Sequence, residues 1–215
     1  MSKPFSEADF SGQIVADRTW RLKEISDLKS SIRKADPTLQ RVLLRALVAI
    51  CYAHWEGYVK FSSRKYLEHI ALRKHQLSAL DRQFMRNAFL PRLNALSQSN
   101  WPLAERCKFL DEILNFQEVR FSRVNDDLIN TRSNLNFEVL SNIAIICGLP
   151  KDLLQHQSSF IDIVLLKRRN AIAHGEETFV EVADLDMVCD GTISIMRTFG
   201  DALENRVVLK QYLAA

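Results

Sequence analysis

The stretch that decides the fold runs from Ser158 to Gly175 and reads Ser-Ser-Phe-Ile-Asp-Ile-Val-Leu-Leu-Lys-Arg-Arg-Asn-Ala-Ile-Ala-His-Gly. It opens with two hydroxyls, either of which can cap a helix, and continues as an apolar run. Gly175 suits the left-handed residue that closes many helices. The pattern predicts one buried helix, capped by Ser158 or Ser159, whose C-terminal turns carry a cation, an amide and an imidazole.

The polar residues near the end of this helix have a spacing that suits phosphate chemistry. Asn170 and His174 are four positions apart, so they share a face of the helix. Arg169 lies roughly 140° round the axis from His174, so its long side chain would have to fold back to reach the imidazole. A guanidinium fork binds phosphate, and an imidazole titrates near neutrality. The same residues also suit a helix C-terminus that simply favours positive charge, and the spacing alone leaves both interpretations open.

The run from Arg169 to Gly175 resembles the signature of the HEPN superfamily, the Rx4-6H motif, in which a polar residue directly follows the Arg. The segment Tyr52-Ala-His-Trp-Glu-Gly-Tyr-Val-Lys60 resembles the second helix of stand-alone, defence-linked bacterial HEPN proteins. The resemblance implies a HEPN-like helical bundle with four to five core helices plus short accessory helices. It also implies a homodimer and, as in many members, a metal-independent endoribonuclease whose Arg and His residues from both protomers line one cleft.

On this resemblance, Arg169, Asn170 and His174 are the expected catalytic residues. His174 would act as general acid or base, Arg169 as the phosphate clamp, and Asn170 as an orienting or phosphate-contacting amide. Arg168 and Lys167 are expected to contact the RNA. We expect no metal ligands and no cofactor.

Glu56 lies on the helix that we expect to pack near the motif. Its carboxylate could orient Arg169 or His174, and we count it with the RNA-binding residues. It also stands four residues before Lys60, which is the favourable order for an ordinary surface ion pair on a helix. The sequence leaves both interpretations open.

One position departs from the pattern of a related group of toxins. Toxins silenced by a partner nucleotidyltransferase carry a Tyr two residues after the motif His, whereas this chain has Glu176 there. Silencing by adenylylation is therefore not expected, although another antitoxin or defence-system partner protein is compatible with the sequence. The alternative function is a non-catalytic HEPN-like dimerisation or nucleotide-binding module of a larger assembly.

Composition narrows the class of protein. The 215 residues carry 29 Lys and Arg against 26 Asp and Glu, a net charge of +3 that permits an RNA partner without requiring one. Eight cations against two carboxylates lie between Lys60 and Arg92, which suits either an RNA surface or the solvated faces of two helices.

The four cysteines form no CxxC pair and are read as reduced thiols. With no leader-like start and no apolar run near the ~20 residues that span a bilayer, we expect a cytoplasmic protein without membrane contact.

The remaining pattern is helical almost throughout and predicts one all-α domain over residues 1–215. Ser6 with Asp9 should open a helix that ends near Lys34, and Asp36-Pro37 should open a second that ends near Lys74. Residues 119–124 alternate like a brief strand. The stripe expected to be buried on the second helix consists of Leu39, Val42, Leu43, Leu47, Ile50, Tyr58 and Phe61. The stripe of a helix over 102–116 consists of Leu103, Cys107, Leu110 and Leu114. On a final helix over 184–213 the inward residues would be Leu185, Val188, Ile195, Phe199, Leu203 and Val207.

Overall fold

The computed structural model describes residues 3–98, 101–131 and 134–214. In these residues the regular structure is helical, apart from two isolated antiparallel bridges. The helices are α1 (Glu7–Lys34), α2 (Pro37–Leu72), α3 (Arg82–Gln98), α4 (Leu103–Leu114), α5 (Phe137–Ile146), α6 (Arg168–Ala173) and α7 (Asp184–Val208). A π-helical segment, Phe160–Lys167, runs directly into α6, and the two together form the motif helix. The expected all-α class is confirmed.

Short polar side chains set the starts of the two long helices. The Ser6 hydroxyl accepts the Asp9 amide at 3.0 Å, and the Asp9 carboxylate accepts the Ser6 amide at 2.9 Å, which completes a capping box. Asp36 accepts two amides of the first turn of α2, at 2.9 and 3.1 Å, and Pro37 occupies the first helical position. Both predicted starts are confirmed, because each depends only on local capping chemistry.

The core lies between α1, α2 and α7, whose apolar faces pack against one another. Trp55 and Tyr58 of α2 and Phe199 of α7 are fully buried there. The Trp55 and Phe199 rings meet edge to face with centroids 6.1 Å apart, a favoured aromatic geometry. All six residues predicted to face inward on α7 are buried.

The buried stripe of α2 differs from the prediction at its N-terminal end. Leu39 and Val42 are 47% and 61% exposed. The buried side instead includes Leu44, Val48 and Cys51. The first turns of α2 carry apolar residues on more than one side, and tertiary packing covers only one of them.

The stripe predicted for α4 is also wrong. Leu103, Leu110 and Leu114 are 76%, 57% and 75% exposed. The residue that α4 buries is Phe109, whose ring lies 6.0 Å from that of Phe89 on α3. Its amphipathic pattern is present, but the apolar stripe faces away from the rest of the chain.

The alternating residues 119–124 form no strand. A single antiparallel bridge joins Arg120 to Gln76, and the Leu77 amide donates to the Val119 carbonyl at 2.8 Å. These contacts tie the loop before α5 to the segment that follows α2. The strand prediction is wrong, because alternation over a few residues does not supply a partner strand.

The motif helix packs against α2 and begins without a serine cap. The 3₁₀ turn Gln155–Gln157 leads straight into it, so the backbone of Ser158 and Ser159 is already helical, and Ser159 makes no side-chain capping bond. The prediction of a serine cap is wrong, since a capping residue needs an extended backbone. Ile161, Leu165 and Leu166 form the buried side. In the described part of the chain, no helix combines the length and apolar character needed to cross a bilayer.

Candidate functional site

The guanidinium of Arg169 is held against α2. Its Cζ atom lies 4.0 Å from the centroid of the Tyr52 ring, and its Nη2 atom lies 4.0 Å from Oε2 of Glu56. Only 22% of the Arg169 side chain is exposed. A planar guanidinium that stacks on an aromatic face and also meets a carboxylate has little freedom to reorient. Arg169 is therefore a preorganised cation, and only a small part of its side chain meets solvent.

Glu56 joins the motif helix to α2 and is shared among several partners. Lys60 contacts its carboxylate at 2.8 Å, and the Thr131 hydroxyl donates a hydrogen bond to it. Burial alone would raise the pKa of Glu56, but the bonds from Lys60 and Thr131 outweigh burial, and the pKa lies below its ordinary value. Glu56 makes both contacts that the sequence suggested, the i,i+4 pair with Lys60 and the approach to Arg169. Its RNA-binding role stays a prediction, and with 13% of its side chain exposed it faces Arg169 more than solvent.

Tyr52 provides the platform for Arg169, and sequence reasoning did not assign it this role. Its hydroxyl accepts the buried Leu135 amide at 2.7 Å, which fixes the plane of the ring. Burial raises the pKa of the phenol above its ordinary value. A signal was available, because Tyr52 and Glu56 are four residues apart and so share a face of α2.

The other polar residues of the motif point to different parts of the fold. Asn170 donates from Nδ2 to Oδ1 of Asn134 at 3.3 Å. Arg168 forms an ion pair of 2.8 Å with Asp184, the first residue of α7. Lys167 is exposed. The expected RNA contacts of Arg168 and Lys167 remain predictions, and Arg168 would have to share its guanidinium with Asp184.

His174 is exposed at a rigid helix end. Gly175 has a φ of 77°, in the left-handed region, which confirms the predicted closing residue. The Glu176 amide donates to the Ala171 carbonyl at 2.9 Å, and the Gly175 amide donates to the Ile172 carbonyl at 3.1 Å. These two bonds form a Schellman motif, so the backbone under the imidazole is fixed while the ring meets solvent.

The chain after Gly175 is strapped to the start of α2. Arg45 donates to two carbonyl oxygens within residues 176–178, at 3.0 and 3.3 Å. Arg41 contacts Glu177 at 2.7 Å, and its guanidinium lies 5.4 Å from the centre of the Phe179 ring. We call residues 176–179, which these contacts hold against the first turns of α2, the strap.

Two further histidines are parts of the packing. His54 Nε2 lies 2.9 Å from a carboxylate oxygen of Glu24, and His69 Nδ1 lies 2.9 Å from the Pro4 carbonyl. Burial lowers the pKa of both imidazoles. Among residues 3–98, 101–131 and 134–214, no three His, Cys, Asp or Glu side chains gather as a metal site would require.

Fold and site together define an all-α bundle that offers a guanidinium, an amide and an imidazole near the end of one helix. The family model described as RiboL-PSP-HEPN matches residues 16–205, a range that contains both α2 and the motif helix. The chain belongs to this HEPN family. The comparisons with curated proteins and with solved structures found no match. HEPN domains typically bind RNA and dimerise, and membership indicates a nuclease or a nucleotide-binding module.

Proposed function

We propose that this protein is a metal-independent endoribonuclease of the HEPN type, with a toxin or antiviral defence role, that cleaves RNA at a site composed of two copies of the motif helix. The observation that carries the proposal is the contrast within that helix. Arg169 is immobilised between Tyr52 and Glu56, as a phosphate clamp needs, while His174 is exposed on a fixed backbone, as a proton-transfer group needs.

Cleavage of RNA without a metal requires three chemical roles. A base must remove the proton of the 2′-hydroxyl, an acid must protonate the leaving 5′-oxygen, and a cation must stabilise the charge on the phosphorane. One chain supplies one motif imidazole and one motif guanidinium, whereas a symmetric dimer supplies two of each. In the dimer, the two His174 side chains serve as base and acid, and the products are a 2′,3′-cyclic phosphate and a 5′-hydroxyl.

An exposed apolar patch beside the strap supports a second copy as the partner. Leu39 and Val42 flank Arg41 on α2, and Phe179, over which Arg41 lies, is 71% exposed. We call these three apolar residues the strap patch. Large exposed apolar side chains near one another mark interaction surfaces. Arg41 joins the two parts of the chain that carry these residues, the start of α2 and the segment that follows His174.

The alternative is a non-catalytic module that binds a nucleotide or only dimerises. The observation that favours it is that Arg169 and its neighbour Arg168 both meet carboxylates, Arg168 that of Asp184 and Arg169 that of Glu56. A carboxylate near a cation opposes the binding of a phosphate at the same place. The observation therefore favours the form of the module that only dimerises, in which Arg168 and Arg169 need not bind a phosphate. The form that binds a nucleotide would do so without cutting RNA.

The decisive experiment incubates purified protein with labelled RNA in EDTA. Loss of an acid–base group lowers rates by about 10² to 10⁴, so His174→Ala should cut at least a hundredfold more slowly than the parent. His156→Ala is the matched control, because His156 is also exposed but lies on the 3₁₀ turn before the motif helix. Equal cutting by His174→Ala and the parent would refute the assignment, and tight nucleotide binding without any cutting would favour the module.

The composite site is tested through the oligomeric state. Val42→Lys places a charge in the strap patch and should give a monomer in size-exclusion chromatography with light scattering, together with loss of RNA cutting. Leu103→Lys makes the same change on the exposed stripe of α4 and should leave the dimer intact. A Val42→Lys protein that remains an active dimer would exclude the strap patch as the interface.

A further inference from the structure

A cleft of about 740 Å³ opens beside α2. This volume lies within the roughly 300–1,000 Å³ typical of ligand pockets. Gly57, Phe61, Leu72 and Val124 contribute an apolar wall. Its charged lining consists of four cations and two carboxylates: Lys3, Lys60, Arg64 and Lys65 against Glu68 and Asp126.

The cleft begins one helical turn from the motif. Tyr52, Glu56, Lys60 and Arg64 follow one another at intervals of four residues, so each lies about 6 Å further along the axis of α2 and about 40° round it from the one before. Tyr52 carries the Arg169 guanidinium, and Glu56 faces it. Lys60 contacts Glu56 and also lines the cleft, and Arg64 lines the cleft one turn further along. A row of neighbouring side chains on α2 therefore leads from the motif into the cleft.

The cations at the rim are accessible to a ligand. The side chains of Lys60 and Arg64 are 44% and 55% exposed. Arg64 lies 3.2 Å from both Glu68 and Asp126, and Asp126 is 64% exposed. Ion pairs this exposed are weak, so a phosphate can compete for the same guanidinium. The lining as a whole keeps an excess of positive charge.

We infer that this cleft binds one nucleotide of an RNA strand, next to the phosphate that Arg169 holds. The phosphate of that nucleotide lies on Lys60 and Arg64, and its base lies on the apolar wall that includes Phe61 and Val124. Grooves that bind single strands combine backbone cations with apolar or aromatic surfaces for the bases, and the cleft offers both. The inference rests on the proposed ribonuclease function for the nature of the strand, while the cleft itself is a separate binding site.

The test measures RNA affinity in a protein that does not cut. In the His174→Ala background, a fluorescent single-stranded RNA is titrated in EDTA at fixed salt and followed by anisotropy. Arg64→Ala removes a charge-assisted phosphate contact and should weaken binding about tenfold. Arg123→Ala is the matched control, since Arg123 is exposed in the segment that lines the cleft but is not itself part of the lining. It should bind within about twofold of the parent.

A second variant tests the interior of the cleft. Ser122 is exposed and lines the cleft, so Ser122→Glu adds a carboxylate there without disturbing the core. It should weaken RNA binding at least as much as Arg64→Ala. Equal affinities of Ser122→Glu and its parent, or equal losses in Arg64→Ala and Arg123→Ala, would overturn the inference.

Competition with small ligands identifies the occupant. A nucleoside monophosphate that displaces the RNA, and does so at lower concentration than inorganic phosphate, supports the inference, because the base then contributes to binding. A monophosphate that binds without displacing RNA would overturn the strand assignment in favour of a free nucleotide. No step of this assay requires cleavage. A protein that cuts no RNA yet depends on Arg64 for binding would refute the proposed nuclease alone, and His174-dependent cutting with Arg64-independent binding would refute the cleft alone.

Discussion

Replacement of Tyr52 tests whether the platform beneath Arg169 matters for function. Tyr52→Phe keeps the ring 4.0 Å from the guanidinium and removes the hydroxyl that accepts the Leu135 amide. Tyr52→Leu removes both the ring and the hydroxyl. The hydroxyl also helps to lower the pKa of Glu56, and both variants lose that effect alike. A comparison of the two variants therefore isolates the effect of the ring.

Loss of the hydroxyl and loss of the ring have different energies, and they appear in different measurements. An unsatisfied buried amide costs about 1–3 kcal/mol, so both variants should be less stable than the parent. A cation–π contact is worth about 0.5 kcal/mol at an exposed site and about 2 kcal/mol when it is desolvated. Arg169 is only 22% exposed, which places it toward the upper end of that range. If the contact orients Arg169 in the transition state, its loss lowers the rate of Tyr52→Leu by roughly tenfold, at about 1.4 kcal/mol per factor of ten.

The assay is the initial rate of cleavage of a fluorogenic RNA in EDTA. It is run at a temperature at which circular dichroism shows each variant to be fully folded, so that stability does not enter the rate. Tyr52→Phe should cut within about twofold of the parent, and Tyr52→Leu about tenfold more slowly than Tyr52→Phe. Equal rates for the two variants would show that stacking on Tyr52 does not prepare Arg169 for catalysis.

Two predictions concern stability. Because the hydrogen bonds of Glu56 lower its pKa by more than burial raises it, the folded state takes up its proton at lower pH than the unfolded chain, whose pKa is near 4.5. The difference in free energy of unfolding between the parent and Glu56→Gln, measured in urea, should therefore be constant above about pH 4.5 and become smaller as the pH drops below it. A difference that is unchanged at about pH 3 would contradict this prediction. Gly175 and Gly148 have φ values of 77° and 69°, but a Cβ on Gly175 meets nothing within 4 Å, whereas one on Gly148 lies 2.7 Å from Nη2 of Arg206. Gly175→Ala should lower the free energy of unfolding by about 1–2 kcal/mol, and Gly148→Ala should lower it by more, because its added Cβ also meets the Arg206 guanidinium. Equal losses in thermal unfolding would show that Arg206 does not oppose that Cβ.

Local chemistry explains why the helix starts were predictable. The Ser6–Asp9 box and the Asp36-Pro37 start depend on residues within one turn of each other, so the sequence contains all their determinants. The inward stripe of α7 was also predictable, because that helix has one apolar side and the core covers it.

The exposed stripes show where local information ends. Apolar residues on α4 recur at helical spacing, yet Phe109 is the one that packs and Leu110 beside it stays exposed. Periodicity predicts that a helix has an apolar side, and only the positions of neighbouring helices decide whether that side is covered. The same reason separates exposed Val42 from buried Leu44 on α2.

A prediction that assumes a rotation of 100° per residue does not find the π-helical segment. No Pro or Gly interrupts Phe160–Lys167, and its composition is that of an ordinary buried helix. Buried Ile161 and Leu166 are five residues apart, a spacing that the wider π turn aligns and a regular turn does not. The segment ends at Lys167, before α6, so the spacing of Asn170 and His174 is still that of a regular helix.

The sequence predicts the candidate site residues on the motif helix, but not the residues of other elements that surround them. Arg169, Asn170 and His174 lie within six residues, and their types and spacing are visible in the sequence. Asn134, the partner of Asn170, lies 36 residues earlier in a loop. Such a partner depends on how that loop packs, and no pattern in one sequence specifies it.

Glu56 gives the motif and the cleft a physical connection. Its carboxylate lies 2.8 Å from Lys60 and 4.0 Å from Arg169, so the two cations share one negative charge. A phosphate that occupies the cleft attracts Lys60, and the carboxylate is then neutralised less by Lys60 and attracts Arg169 more strongly. Occupation of the cleft thereby fixes Arg169 more firmly on its platform. A carboxylate that pairs more strongly with Arg169 leaves less of the guanidinium's charge for a phosphate, so a phosphate in the cleft weakens phosphate binding at Arg169. By linkage, a phosphate held by Arg169 weakens binding in the cleft to the same extent.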